Sequence, residues 1–422
     1  MDQGNTAFIL LAAALVLLMT PGLAFFYGGL VKAKSVISMM MLSFGALGLI
    51  GVLWVLYGYA IAFPAAEGIV FPWSIDLSAI GLESLLTTPE DAAYPPLAFV
   101  AFQATFAILT VALVSGAIAD RAKFGAWMVF AGIWATIVYF PVASWVFNFG
   151  LAEDGSFAYG GWITYGMQTW FGVGAIDFAG GTAVHINAGA AALALALVLG
   201  RRVGFSKGIT VPHNPPFVLL GAGLLWFGWF GFNAGSELAA DNTAALAFVN
   251  TIAAPAAALL AWLIVEKLKD GKPTSVGAAS GAVAGLVAIT PACASLTPIW
   301  AIVLGLVAGA VCALAIELKF KLGFDDSLDV VGIHLVGGLI GTLYLGFFAN
   351  GTGLIYSGSA TQLLVQAIAA FSVLIYSFTL AWVIGFIIQK TIGFRVKNED
   401  EIAGIDTIVH GEEGYVLADS KA

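Results

Sequence analysis

Eleven stretches of this chain are long and apolar enough to cross a bilayer, and that count limits the possible folds more than any other feature. They fall near 7–31, 36–63, 97–119, 124–149, 178–200, 217–235, 244–265, 275–292, 298–316, 330–350 and 361–389. A hydrocarbon core about 30 Å thick needs about 20 apolar residues of helix, because lipid offers no partner to a free backbone N–H or C=O. With 60% of its residues hydrophobic and 10% charged, the chain carries more apolar surface than a water-soluble domain can bury. The expected fold is an all-α integral membrane protein with eleven transmembrane helices.

Charge sets the direction of the spans. With eleven crossings, all sixteen Lys and Arg residues fall on one side, each group after an odd-numbered span. They are Lys32 and Lys34; Arg121 and Lys123; Arg201, Arg202 and Lys207; Lys267, Lys269 and Lys272; Lys319 and Lys321; Lys390, Arg395, Lys397 and Lys421. The opposite loops hold Glu67, Asp76, Glu83, Glu90, Asp91, Glu153, Asp154, Glu237 and Asp241, and no cation. Since positive loops stay in the cytoplasm, the N-terminus is expected outside and the C-terminus inside. The uncharged aromatic stretch from Gly160 to Ile176 would make a twelfth span, but it would scatter the cations over both faces. It reads as an extracellular loop. Asp2 precedes the first span, with no basic residue and no A-x-A site, so that span is expected to be retained. The net charge of −9, with no basic patch, argues against a nucleic-acid partner. Cys293 and Cys312 lie in or beside apolar segments and read as small apolar residues, with no metal site expected.

Two histidines, His185 and His334, lie deep in spans five and ten, each eight residues after an acid. The segments read D-F-A-G-G-T-A-V-H-I-N-A-G from Asp177 and D-S-L-D-V-V-G-I-H-L-V-G-G from Asp326, sharing the pattern Asp-x7-His-x3-Gly. Ionisable groups at that depth are costly and mark substrate or proton paths, though a histidine can also serve as packing glue between helices. Five spans per half is an odd number, so a repeated half must enter the membrane inverted, with a site near the midplane. Eight residues of helix carry each histidine roughly 12 Å inward from opposite faces, so the two imidazoles are expected close together. A neutral imidazole offers one donor and one acceptor, which suits a small hydrogen-bonding solute or a proton relay. The division expected is a transporter domain over 1–393, with inverted halves of about 1–200 and 213–350 and helix eleven over 361–393, and a cytoplasmic tail over 394–422.

Aromatic residues form a second constellation. F-Q-A-T-F puts Phe102 and Phe106 on one helical face, and W-F-G-F-N-A-G-S offers Trp229, Phe232 and Ser236 near the outer end of span six. Rings at a water-filled mouth attract a small cation, although such stripes also serve as core or lipid contacts. Asp177 at the start of its helix can act as an N-cap or as negative charge at that mouth.

These motifs resemble the ammonium transporter (Amt/Mep/Rh) family over essentially the whole chain. The most specific are 177–188, G-W-F-G-F-N-A-G-S at 228–236, A-L-A-F-V-N-T at 245–251, A-G-L-V-A-I-T-P-A-C at 284–293, P-G-L-A-F-F-Y-G-G at 21–29 and D-V-V-G-I-H at 329–334. The resemblance implies a homotrimer with one pore per subunit, embedded in the cell (inner or plasma) membrane. It implies that His185 and His334 line the pore, and that Phe106 and Phe232 close its outer end. Phe102 and Ser236 fall at an outer ammonium-recruitment site, with Asp177 as its supporting acid. Phe147 stands where the family usually has tryptophan, which weakens cation binding unless Trp145 or Trp162 compensates.

The activity implied is transport, without enzyme chemistry or cofactor. Ammonium held at the mouth surrenders its proton, ammonia crosses along the histidines, and it is reprotonated inside with net charge transfer. An ammonium sensor or a neutral gas channel of the same fold is the alternative. A membrane cytochrome with axial histidines is the rival outside the family. The acidic tail, 393–415, reads as a solvated end from its composition. The resemblance implies instead that it packs on the cytoplasmic face, with His213 and His410, where a PII-type signalling protein docks.

Overall fold

The computed structural model describes residues 1–65, 67–90, 92–151, 157–207 and 211–415. Asp91, Glu153, Asp154 and Lys421 of the charge argument lie outside the described residues. Eleven apolar helices run in order: α1 (Gln3–Leu30), α2 (Ala33–Ala62), α3 (Pro96–Ile118), α4 (Phe124–Phe147), α5 (Gly181–Leu199), α6 (Pro215–Glu237), α7 (Asn242–Lys269), α8 (Ser275–Ile289), α9 (Pro298–Leu322), α10 (Val331–Phe348) and α11 (Thr361–Thr391). Among the described residues ten are long and apolar enough to cross a membrane; α8, with 15 residues, is shorter. Its apolar run continues to 292, but Pro291 has no N–H to extend the ladder, and the chain turns there. The chain is thus a mostly helical, multi-pass membrane protein.

The aromatic stretch 160–176 forms no helix of spanning length. It ends a strand, β3 (Phe157–Gly161), passes through a wide turn at Trp162–Gly166, and closes a short helix, Met167–Phe171, at left-handed Gly172. With β1 (Ile69–Val70) and β2 (Phe149–Leu151) it makes a three-stranded sheet of order β1-β3-β2, parallel on one side and antiparallel on the other. This sheet sits beside the C-terminal end of α4.

At the other end of α4 the loops after α3, α5 and α9 are tied together. Arg202 pairs with Asp120 and Asp325, both at 3.0 Å. Buried Arg121 donates to the Asp325 carbonyl (2.6 Å) and the Ser327 hydroxyl (2.5 Å). Burial alone would raise the Asp325 carboxyl, but its bonds to Arg202 and the charges of Arg202 and Arg121 outweigh that and hold it low.

The tail joins the same end, so as far as Tyr415 it is packed and not a free solvated segment. Glu401 accepts from the Val203 N–H (2.6 Å) and pairs with Arg395 (2.7 Å). Asp406 accepts from the N–H groups of Ser38 (2.7 Å) and Ile37 (3.1 Å), capping α2 from 368 residues away. His213 bonds the Tyr415 hydroxyl (2.8 Å) and His410 meets the ring of Phe124, so neither lies near the other histidine pair. Within the bundle, α1 packs along α6, and α11 packs along both α5 and α10.

Candidate functional site

The site begins with how α5 and α10 start. Asp177 accepts from the N–H groups of Gly180 (2.9 Å), Gly181, Thr182 (2.8 Å) and Ala183 (3.2 Å), and from the Thr182 hydroxyl. Those are donors a helix start leaves unpaired, so its oxygens are committed to capping α5. The chain reaches this cap through Gly180 at φ 117°, a conformation that side chains disfavour. Asp326 likewise accepts from the N–H five residues on, that of Val331 (2.7 Å). Both helices then open on a π turn, Gly181–Ile186 and Val331–Leu335, and each turn carries the histidine. The wider turn changes which face the ring leaves from, a device common at functional sites.

The two rings meet. Nδ1 of His334 lies 3.2 Å from Nδ1 of His185, with ring centroids 5.3 Å apart and planes within 22°. Both residues are buried. Glycines four residues after each histidine make the approach possible. A Cβ on Gly189 would lie 2.5 Å from the Leu335 nitrogen, and one on Gly338 would lie 3.0 Å from Ile186 and 3.2 Å from His185. Each glycine therefore faces the residue following the opposite histidine.

One Nδ1 must donate and the other accept, so a neutral pair presents one Nε2 as an acceptor and the other as N–H. The Nε2 of His185 has no partner among the described residues. Trp229 stacks on the His185 ring (5.5 Å, 21°) and donates to the Thr290 hydroxyl (2.8 Å), holding the imidazole face. Phe232 continues the stack at 6.1 Å, and Phe106 lies face to face with it at 4.1 Å and 20°.

Beyond Phe106 opens a cavity of about 1120 Å³, lined among others by Phe106, Phe147, Ser236, Asp177, Gln103 and Glu237. Phe147 meets Phe106 edge-on at 6.4 Å. The Ser236 hydroxyl donates to the Phe232 carbonyl (2.8 Å), leaving its oxygen lone pairs free to accept from a guest. Phe102 is fully buried behind Phe106 at 4.8 Å and does not line the cavity. Neither do Trp145 and Trp162: Trp145 packs on Tyr376 and Trp162, and its indole N–H is taken by the Pro72 carbonyl. Phe232, His185 and His334 lie past the Phe106 stack and outside the cavity wall.

Sequence reasoning did not single out Thr290 or the glutamines of α11, Gln362 and Gln366. For the glutamines a signal existed, since two amides one turn apart in an apolar helix need partners inside the protein.

A family model described as the Ammonium Transporter Family matches residues 7–415. An ammonium transporter of Mycobacterium tuberculosis (strain H37Rv) is 53% identical over an alignment covering 99% of this chain and 91% of that protein. The crystal structure of Mep2 from Saccharomyces cerevisiae superposes with a TM-score of 0.82 at 33% identity, over 94% of this chain and 91% of that one. A solved structure described as a Sensor Amt Protein superposes with a TM-score of 0.87 at 28% identity, over 96% of this chain and 98% of that one.

Proposed function

Because this chain belongs to the ammonium transporter family, we propose that it carries ammonium across the membrane past the His185–His334 pair. The observation that carries this reading is the Nδ1–Nδ1 contact of 3.2 Å beneath the Phe106–Phe232 stack. Ammonium is held in the outer cavity by the π faces of Phe106 and Phe147 and by the Ser236 oxygen. Phe102 supports Phe106 from behind, and Asp177 holds the cavity wall by capping α5. The ion gives up its proton to solvent in the outer cavity before the stack, because a charge at the midplane costs at least about 2.5–3.5 kcal/mol, and ammonia takes up a proton from solvent again on the inner side. Ammonia then donates to the accepting Nε2 and accepts from the Nε2–H of the pair. Potassium has no proton to surrender and is refused.

The histidines also suit a proton. One arriving at the accepting Nε2 passes across the Nδ1–Nδ1 bond and leaves from the other Nε2 with both tautomers exchanged. Transport is electrogenic on this reading. Eleven crossings with the N-terminus outside and the C-terminus inside fit the loops gathered at one end by Arg202, Asp120 and Asp325. Inverted halves over about 1–200 and 213–350, then helix eleven and the 394–422 tail, fit the reciprocal contacts of Gly189 and Gly338. The functional unit is a homotrimer, and the packed tail is where a PII-type protein docks.

Ammonium jumps on a solid-supported membrane bearing proteoliposomes test this directly. Wild-type protein should give ammonium currents, and the His185→Ala, His334→Ala double variant should lose current or potassium exclusion by on the order of 100-fold, the worth of two buried hydrogen-bond partners. Unchanged current and selectivity would falsify the histidines' role. The likeness to a sensor structure favours a second reading, in which the same mouth binds ammonium without passing it. Wild-type binding without flux or current would establish that one.

A further inference from the structure

Helix α11 stands outside the repeat, yet it bonds the backbone next to both histidine helices. Gln366, fully buried on α11, accepts from the Ile176 N–H (2.6 Å) and donates to the Ile176 carbonyl (2.8 Å) and the Thr342 carbonyl (3.0 Å). Gln362 donates to the Gly174 carbonyl (3.1 Å) and to the Gln366 side-chain oxygen (3.2 Å). Ser377, eleven residues after Gln366 and therefore on the same stripe of the helix, donates to the Asn187 carbonyl (2.8 Å).

Burying a primary amide in an apolar bundle is costly unless each donor and acceptor is matched. For Gln366 both donors are taken by backbone carbonyls and the oxygen by a backbone N–H. The double exchange with Ile176 has the form of one rung of a β-ladder, so it fixes both position and orientation of that residue. Ile176 precedes Asp177, whose carboxylate builds the turn that carries His185. Thr342 lies on α10, eight residues past His334. A single side chain thus refers both histidine helices to one straight rod, and Ser377 repeats the tie on α5 below.

We infer that Gln366, seconded by Gln362 and Ser377, is a positioning residue that sets the registration of His185 against His334. The inference rests on the reading of that pair as the conduction site. Gln366 and Ser377 touch neither the outer cavity nor the rings, whereas Gln362 also lines that cavity, so loss of Gln366 or Ser377 leaves ammonium recruitment alone and slows passage.

Three variants keep side-chain volume close to the original: Gln366→Met, Gln362→Met and Ser377→Ala. Currents per reconstituted molecule and amide hydrogen exchange over 174–186 are measured on the full-length protein. For Gln366→Met the maximal ammonium current should fall about tenfold with half-saturating ammonium unchanged within about twofold, and exchange over 174–186 should quicken about tenfold, as for loss of a buried hydrogen-bonded pair. Gln362→Met and Ser377→Ala should shift both readouts in the same direction by about threefold, and Ser377→Ala, which lies away from the outer cavity, carries the test if Gln366→Met does not fold. Quickened exchange with unchanged current per molecule overturns the inference, since the ties would then be structural only. Unchanged exchange overturns it as well. A wild type without ammonium current sinks the conduction reading alone, and the exchange rates still decide whether the clamp exists.

Discussion

The start of α5 and the start of α10 use the same spacing of acid, histidine and glycine, with a π turn around each histidine, and they support it differently. Asp177 spends both oxygens on four backbone N–H groups and a hydroxyl. Asp326 takes the Val331 N–H on one oxygen, while its other oxygen is buried with no partner among the described residues. Lys319 lies nearby, but its ammonium goes to the Asp326 carbonyl (3.0 Å) and to the Asp329 carboxylate (2.6 Å). Burial accordingly pushes the Asp326 carboxyl up to about 6. A repeated motif thus preserves backbone geometry, while the surrounding loops decide charge. The first acid is a clasp, and the second is raised well above an ordinary carboxylate.

Asp177→Ala should strip five donors of their acceptor at once, lowering stability by about 2–4 kcal/mol and abolishing current. Asp326→Ala should do much less; equal losses in thermal unfolding of the two would break the contrast. Next come the glycines. Gly189→Ala meets the Leu335 backbone at 2.5 Å and should cost about 1–3 kcal/mol through overpacking, with a fall in current; Gly338→Ala meets nothing nearer than 3.0 Å, though the Gly181 carbonyl lies at 3.1 Å, and should cost less. The reverse order in melting temperature would show that α5, and not α10, is the helix that gives way.

The acids at 325 and 326 should part company with pH. Asp326 has its folded value raised, so its charge penalty grows as pH rises from about 4 to about 6 and is constant above. Asp326→Asn should therefore gain on wild type across that window, by about 1–3 kcal/mol at pH 7. Asp325 has its folded value depressed, so it stabilises above its ordinary range and that contribution fades as pH falls. Asp325→Asn should lose stability at pH 7 and converge with wild type in acid. Parallel melting-temperature curves for the two variants would refute this. The smallest effect is expected at the mouth. Phe147→Trp should lower half-saturating ammonium by about two- to fivefold through a stronger π face, with maximal current unchanged. A change in maximal current instead would move Phe147 from recruitment to passage.

Much of this was legible from hydropathy, because lipid forces long apolar helices and penalises any histidine among them. The tenfold coincidence of long apolar runs and spanning helices follows from that. Phe106 and Phe232 stood out through motif and resemblance, and Ser236 through its place after the aromatic run. What hydropathy cannot register is the backbone detour. Nothing in G-T-A-V-H-I announces a π turn, or that Asp177 collects the N–H groups of the four residues where it begins. Phe102 shared a face with Phe106 in the helical pattern, yet only packing against Gly235 shows it standing behind. The tail's acids looked like solvated charges, since their partners, the N–H groups of Ile37, Ser38 and Val203, lie far away in the chain.

The Phe106–Phe232 pair carries a kinetic consequence. Two phenyl faces at 4.1 Å cohere by only about 0.5–1.5 kcal/mol beyond their burial. Side-chain swings that part them run far faster than turnover. On the proposed reading the pair would therefore filter what slips by without shutting the protein down, and slow ring flips in deuterated phenylalanine spectra would prove otherwise.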